Sequence, residues 1–157
     1  MFDLTNKRVL ITGATGGIGR EMVRILHAAN AQVVISGTRE AVLQEMVTEC
    51  KGEKINYICA DLSSSEQIAD LYEKAENLHE GIDILICNAG ITRDNLVMRM
   101  KDEEWDQVLA VNLTSCFKLN REAVKRMSKR RYGRIINITS VIGYTGNFGQ
   151  ANYAASK

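Results

Sequence analysis

The residues best equipped for chemistry lie near the end of the sequence, where Tyr153 and Lys157 stand four positions apart in Tyr-Ala-Ala-Ser-Lys. In a helix that spacing puts a phenol and an ammonium on one face, a single turn apart. A phenol ordinarily ionises near pH 10, so proton transfer near neutrality needs about 4 kcal/mol of added favour for the phenolate. A neighbouring cation is of the right size, since two unit charges 4 Å apart interact by about 4 kcal/mol at an effective dielectric of 20. The implied chemistry is acid–base work on an oxygen, with the Ser140 hydroxyl as a second group able to hydrogen-bond it. Alone, Y-x-x-x-K is a common incidental pattern and Ser140 a capping serine, so the surrounding elements must decide.

A second constellation lies at the other end, in Thr12-Gly13-Ala14-Thr15-Gly16-Gly17-Ile18-Gly19. It follows the apolar run Val9-Leu10-Ile11 and opens an amphipathic stretch, the context in which a glycine turn binds phosphate rather than merely connecting elements. Glycines tolerate positive φ and let backbone approach a pyrophosphate, while the first N–H groups of the helix face the anion. The spacing G-x-x-x-G-x-G, with no Gly-Lys-Ser/Thr, disfavours a phosphate-transferring P-loop.

Short Val- and Ile-rich runs supply the strands that would carry these residues: Val9-Leu10-Ile11, Val33-Val34-Ile35, Ile55 to Cys59, Ile82 to Cys87, and Ile135-Ile136 to Ile138. Each is too short for a helix and apolar enough for a strand buried on both faces. Between them, Ile18, Met22, Ile25, Leu26 and Ala29 form one predicted core-facing stripe. Ile68, Leu71, Tyr72, Ala75 and Leu78 form another, after a possible Ser63/Glu66 capping box. The segment from Asp102 to Arg131 reads as a long helix or a broken pair, opened by acidic residues that suit a helix N-terminus. Strand–helix alternation predicts a doubly wound α/β fold of Rossmann type. It has about five parallel strands in one domain over residues 1–157, with the ligand beyond the strands' carboxyl ends.

Composition excludes other classes. Twenty Lys and Arg against 19 Asp and Glu leave a formal charge of +1, which gives no bulk attraction to nucleic acid or to an anionic membrane. No apolar run approaches the ~20 residues of a membrane span, and the first residues lack the pattern of a secretory signal, so a cytoplasmic location is expected. Cys50, Cys59, Cys87 and Cys116 include no C-x-x-C pair, so free thiols packed as small apolar groups are expected rather than a metal site. His27 and His79 read as isolated surface residues. There is no proline, where an average content near 5% would give about eight. That absence points to part of a larger protein.

The glycine turn resembles that of the short-chain dehydrogenases/reductases, single-domain enzymes using NAD or NADP, and the family's further motifs follow in order. Asp61-Leu62 matches its adenine-side position, and Cys87-Asn88-Ala89-Gly90 its Asn-Asn-Ala-Gly, with cysteine for the first asparagine. Asn112 matches its catalytic asparagine, which holds a water linking the active-site lysine to solvent. Ser140, Tyr153 and Lys157 match its catalytic serine, tyrosine and lysine. The resemblance implies cofactor contacts from Gly13, Ala14, Thr15, Gly16, Gly17, Ile18 and Gly19, from Asp61 and Leu62, from Asn88, Ala89 and Gly90, and from Tyr153 and Lys157. It implies hydride transfer to a substrate carbonyl, with Ser140 and Tyr153 bonding its oxygen and Tyr153 giving the proton. The family's chains normally continue well past the lysine, so a truncated member is expected.

An NAD-preferring site usually carries a carboxylate at the end of the second strand, to accept from the ribose hydroxyl. This sequence has Ser36-Gly37-Thr38-Arg39, and Thr38 with Arg39 could accommodate a phosphate instead, so NADP(H) is expected. The stretch from Gly90-Ile91-Thr92-Arg93-Asp94 through Trp105 closely resembles the 3-oxoacyl-[acyl-carrier-protein] reductases, as does Asn147 to Tyr153. That likeness implies a 3-oxoacyl chain on acyl carrier protein as substrate, a role in fatty acid biosynthesis, and a homotetramer. The basic run that includes Arg130 and Arg131 reads either as a solvated helix end or as a docking site for an acidic carrier. Two further readings stay open: an oxidoreductase acting on another alcohol, ketone or acyl-CoA, and a dinucleotide-binding module without turnover.

Overall fold

A computed structural model describes residues 3–51 and 54–157. In chain order the elements are β1 (Arg8–Ile11), α1 (Gly17–Ala28), β2 (Gln32–Gly37), α2 (Glu40–Glu49), β3 (Ile55–Cys59), α3 (Ser65–His79) and β4 (Ile84–Cys87). After these come α4 (Asp102–Leu109), a π-helical turn (Ala110–Thr114), α5 (Ser115–Arg130), β5 (Arg134–Asn137), α6 (Ile142–Thr145) and α7 (Ala151–Ser156). The strands form one parallel sheet in the order β3-β2-β1-β4-β5. The order reverses between β1 and β4, and a ligand crevice belongs beyond the strand ends at such a point. The expected doubly wound five-stranded architecture is therefore the one observed.

Strand alternation sorts the core into two layers. Leu10, Val34 and Leu85 face α3 and α5, packing on Leu71, Tyr72, Leu119 and Ala123. Val9, Ile11, Val33 and Ile35 face the other way, onto Val23 of α1 and Leu43 and Met46 of α2. Truncating a side chain as buried as Leu10 to alanine costs about 2–5 kcal/mol at such sites.

Five expectations need correction. The fifth strand is not buried: β5 is the sheet edge, and Ile136 is 45% exposed. In α1, Ile18 and Ile25 face outward and the buried positions are Gly19 and Val23. A Cβ on Gly19 would lie 2.2 Å from the Gly13 carbonyl, so this face must press on the turn. Ile18 and Ile25 lie about 100–120° around the helix from it. The third helix is capped by Ser64, which accepts from the Gln67 N–H, rather than by Ser63. The histidines are half-buried rather than on the surface; burial first, then the nearby Arg8 cation, holds the His79 imidazole below its ordinary pKa. The Asp102 to Arg131 segment is neither one α-helix nor a broken pair, but two α-helices joined without a break by the π-turn.

Candidate active site

At the β1–α1 junction the chain turns on Gly13, whose φ of +65° lies in the left-handed region that favours glycine. A Cβ there would meet Ala89 Cα at 2.6 Å, so the turn is pressed against the segment after β4. That segment is fastened by Thr12, whose Oγ1 accepts from the N–H groups of Asn88 and Ala89, both at 3.2 Å. The Asn88 amide in return donates to the Thr12 and Gly13 carbonyls, each at 3.1 Å. Helix α1 opens on Gly16, which has no side chain to cap it, and its first turn holds no acidic residue. The positive end of this helix therefore faces a crevice of about 840 Å3. Gly16 and Gly17 both line it, and a Cβ on Gly17 would project into open space.

The same crevice collects residues from the whole carboxyl edge of the sheet. Thr38 and Arg39 border it after β2, Asp61 and Leu62 after β3, Asn88, Ala89 and Gly90 after β4, and Ser140, Tyr153 and Lys157 beyond β5. Gly13, Thr15, Gly16, Gly17, Ile18 and Gly19 complete the wall. Ala14 is the exception among the expected contacts: it is fully buried, and its N–H donates to the Ser36 carbonyl at 3.0 Å, bracing the turn onto β2. The Arg39 guanidinium donates to the Thr15 carbonyl. The Asp61 carboxylate accepts from the Ser63 N–H at 2.9 Å, a local turn contact.

In the catalytic corner, Tyr153 and Lys157 share one face of the α7 region, with Lys157 Nζ 5.9 Å from the centre of the phenol ring. The ammonium donates to the Ile138 carbonyl at 2.9 Å. Burial pushes the Lys157 pKa below its ordinary value, partly offset by the neighbouring thiols of Cys116 and Cys87. The Ser140 hydroxyl accepts from the Ile142 N–H at 3.2 Å, and its own proton is available to an acceptor in the crevice.

Asn112 stands behind this corner, within the π-turn and almost fully buried. Its Oδ1 accepts from the Ile91 N–H at 2.8 Å, while Nδ2 donates to the Ile91 carbonyl at 3.0 Å and to Ser156 Oγ at 2.9 Å. Ser156 passes the connection on, donating to the Tyr153 carbonyl at 2.8 Å. Both amide donors are thus spent, so for holding a water the Asn112 side chain keeps only the second lone pair of Oδ1.

Two positioning residues had no role in the sequence reading. Thr12 is one, and the sequence signal is a hydroxyl directly before the first glycine of the turn. Asn152 is the other: completely buried, it donates to the Arg93 and Glu104 carbonyls at 2.9 and 3.2 Å and accepts from the Tyr153 N–H at 2.8 Å. It ties the start of α7 to the loop before α4 and to α4 itself. Arg130 and Arg131 lie apart from the crevice. They end α5, beside the amino ends of β4 and β5, and Arg130 is held by Glu76 at 2.9 Å and by the Ile82 carbonyl. Arg131 is exposed.

The arrangement can do two things chemically. Its glycine turn and helix end can hold a pyrophosphate, and its Tyr–Lys–Ser corner can bind and protonate a carbonyl oxygen. A family model described as short chain dehydrogenase matches residues 7–157. Nodulation protein G of Rhizobium sp. (strain N33) is 52% identical over 157 residues, covering 100% of this chain and 64% of that protein. The 3-oxoacyl-[acyl-carrier-protein] reductase FabG of Rickettsia felis is 51% identical, covering 100% and 63%, and that of Aquifex aeolicus is 44% identical, covering 98% and 63%. The chain thus spans just under two thirds of the length of these relatives. With the motifs gathered on one crevice and a match along almost its whole length, the protein belongs to the short chain dehydrogenase family.

Proposed function

We propose that the protein acts as an NADPH-dependent reductase of 3-oxoacyl chains carried on acyl carrier protein, in fatty acid biosynthesis. The observation that carries this reading is the single crevice lined at one end by the glycine turn and at the other by Ser140, Tyr153 and Lys157. The substrate class is supported by the FabG proteins of Rickettsia felis and Aquifex aeolicus, which match 100% and 98% of this chain.

The cradle fits a dinucleotide: the glycines leave the helix end open, and a crevice of about 840 Å3 is of cofactor size. Gly13 and Gly16 to Gly19 would hold the pyrophosphate, Asp61 and Leu62 the adenine, and Thr38 with Arg39 the phosphate that distinguishes NADP. Asn88, Ala89 and Gly90 would flank the nicotinamide half. When bound, this cofactor supplies the hydride that reduces the keto carbon. Ser140 donates a hydrogen bond to the keto oxygen, and Tyr153 donates to it and then gives up its proton. Lys157, beside the phenol ring, favours the resulting phenolate. Asn112 holds Ile91 and, through Ser156, the helix that carries Tyr153, and a water on Oδ1 would open a route for replacement protons.

Carrier docking rests on Arg131, because Arg130 is already committed to Glu76. In the whole protein we place the activity in a cytoplasmic homotetramer. The test is NADPH oxidation by the full-length enzyme with acetoacetyl-carrier protein, acetoacetyl-CoA and simple ketones. The expected ranking puts the carrier-linked substrate first; preference for a simple ketone would assign the crevice to another reductase. Cofactor binding with no turnover on any of them would leave a binding module.

A further inference from the structure

Behind the catalytic corner the structure brings together two thiols from distant parts of the chain. Cys87 ends β4, immediately before the Asn88-Ala89-Gly90 segment of the crevice wall, and is buried. Cys116 lies in the first turn of α5, four residues after Asn112, and is half-buried. The two side chains meet on one carboxamide. They share Asn120, whose Oδ1 accepts from Cys87 Sγ at 3.5 Å and whose Nδ2 donates to Cys116 Sγ at 3.7 Å. Cys116 Sγ in turn donates to Asn137 Oδ1 at 3.1 Å. Both thiols line a pocket of about 210 Å3 together with Asn112 and Lys157.

We propose that Cys87 and Cys116 form an oxidisable pair, converted by a hydroperoxide to a disulfide that disables the cofactor crevice. The division of labour follows from the surroundings. Cys116 is the attacking sulfur: it is the less buried of the two and accepts from the Asn120 amide, and the neighbouring Cys87 thiol, with the Lys157 ammonium and that amide, lowers its pKa against its partial burial. Cys87 is the resolving sulfur, held as a thiol by its bond to Cys116 and by its own burial. Such a low-pKa cysteine beside a second thiol is the arrangement that peroxide oxidises selectively.

In the first step the Cys116 thiolate attacks a peroxide oxygen. An S–O bond forms, the O–O bond breaks, and the leaving oxyanion takes a proton to become water or an alcohol. In the second, the Cys87 sulfur attacks the sulfenic sulfur; the S–S bond forms, the S–OH bond breaks, and hydroxide departs with the Cys87 proton as water. Two thiols lose two electrons and the peroxide gains two. An exogenous dithiol reverses the change by thiol–disulfide exchange.

The effect on the crevice follows from what each cysteine is attached to. An S–S bond of about 2 Å is far shorter than a contact between thiols, so the start of α5 must close onto the end of β4. The π-turn with Asn112 is continuous with α5, and Asn112 grips Ile91 directly beyond the Asn88-Ala89-Gly90 wall. Closure also removes a thiol from the pocket that Lys157 lines. Cys87 is also where the sequence departs from the asparagine of the resembled motif, so the second sulfur is peculiar to chains with this substitution.

The test is to treat the full-length protein with hydrogen peroxide, map its peptides by mass spectrometry and titrate it with NADPH. The expected result is a linked Cys87–Cys116 peptide pair and an NADPH affinity at least about tenfold weaker, restored by dithiothreitol. Cys116→Ser should bind NADPH normally and keep that affinity after peroxide. The mass readout needs no turnover, so it stands apart from the substrate assigned above. Oxidation of exposed Cys59 with no Cys87–Cys116 link would overturn the proposal, as would a linked pair whose NADPH affinity is unchanged.

Discussion

The two ends of the sheet use polar side chains in opposite ways. At the amino end the enclosed charges are ion-paired. Arg8 grips Asp83 with two nitrogens, at 2.7 and 2.8 Å, and Glu76 receives both Arg126 at 2.6 Å and Arg130 at 2.9 Å. Asp83 is buried, and Gly81 is so enclosed that a Cβ would meet the Arg130 guanidinium at 2.8 Å. At the carboxyl end the polar groups are tied to backbone: Asn88 to Thr12 and Gly13, Asn112 to Ile91, Asn152 to Arg93 and Glu104, Lys157 to Ile138. Of these, Asn88 and Lys157 border the crevice, and among the described residues no carboxylate pairs with the ammonium within it. The lesson is a separation of duties. One end closes on itself through ion pairs and contributes stability, while the other is held in shape by neutral amides that leave its chemistry available.

The sharpest way to break that contrast is Tyr153→Phe, which removes one oxygen from the carboxyl end. Ring and backbone contacts remain, so cofactor affinity and thermal stability should be unchanged while turnover falls by roughly 10³-fold or more. Steady-state kinetics beside an NADPH titration separates the two; a variant that keeps turnover would remove the phenol from the chemistry.

Next in size is Asp83→Asn, the counterpart at the amino end. Breaking a buried pair leaves Arg8 without its carboxylate and should cost about 3 kcal/mol of stability, read by denaturant unfolding, with NADPH affinity unaltered. The same group sets a pH dependence. Burial tends to raise the Asp83 pKa, but the hydrogen bonds and charge of Arg8 outweigh it and hold the carboxyl below its ordinary value. A carboxylate with a depressed native pKa stabilises the fold fully above its unfolded pKa near 3.9, and that stability is lost as pH falls through the native one. The wild type should therefore lose stability below about pH 4 more steeply than Asp83→Asn, and parallel acid titrations would contradict this.

Much of both ends was legible in the sequence, for different reasons. The strands announce themselves because a strand buried on both faces must be short and rich in Val and Ile, and the glycine turn because only glycine fits where Gly13 and Gly19 press on Ala89 and on the Gly13 carbonyl. Helix α2 carries no such signature: it buries only Leu43 and Met46, too few to mark a face. The outward Ile18 and Ile25 misled because hydrophobic spacing reports a stripe, while a glycine's close approach decides which side of the helix turns inward. The π-turn at Ala110–Thr114 has no proline or glycine to mark it. Its cause is tertiary, in the clasp between Asn112, Ile91 and Ser156, which no local pattern displays. Likewise the amino-end ion network joins residues such as Arg8 and Asp83, 75 positions apart, and charge alone does not say which surface lysines and arginines are committed.

A smaller effect tests how the crevice selects its ligand. Arg39 is exposed and donates to the Thr15 carbonyl, so Arg39→Ala should leave the fold intact. If its guanidinium meets the extra phosphate of NADPH, the variant should bind NADPH about tenfold more weakly and NADH equally well, since one charge-assisted bond is worth about 1.5 kcal/mol or more. Equal losses for both dinucleotides would assign Arg39 to the turn rather than to cofactor choice.

The smallest effect is Ser64→Ala, and it bears on whether the carboxyl end contributes any stability of its own. Ser64 caps α3 at that end, accepting from the Gln67 N–H over a long 3.4 Å. The Gln67 side chain in turn accepts from the Asp61 N–H at 2.9 Å, which links the cap to the crevice wall. Loss of an N-cap typically costs about 1 kcal/mol, and a bond this long places the loss nearer 0.5 kcal/mol. Because the Gln67–Asp61 bond survives, NADPH affinity should be unchanged. A destabilisation as large as that of Asp83→Asn would mean that the crevice end supports the fold as strongly as the ion-paired end, and the separation of duties would fail.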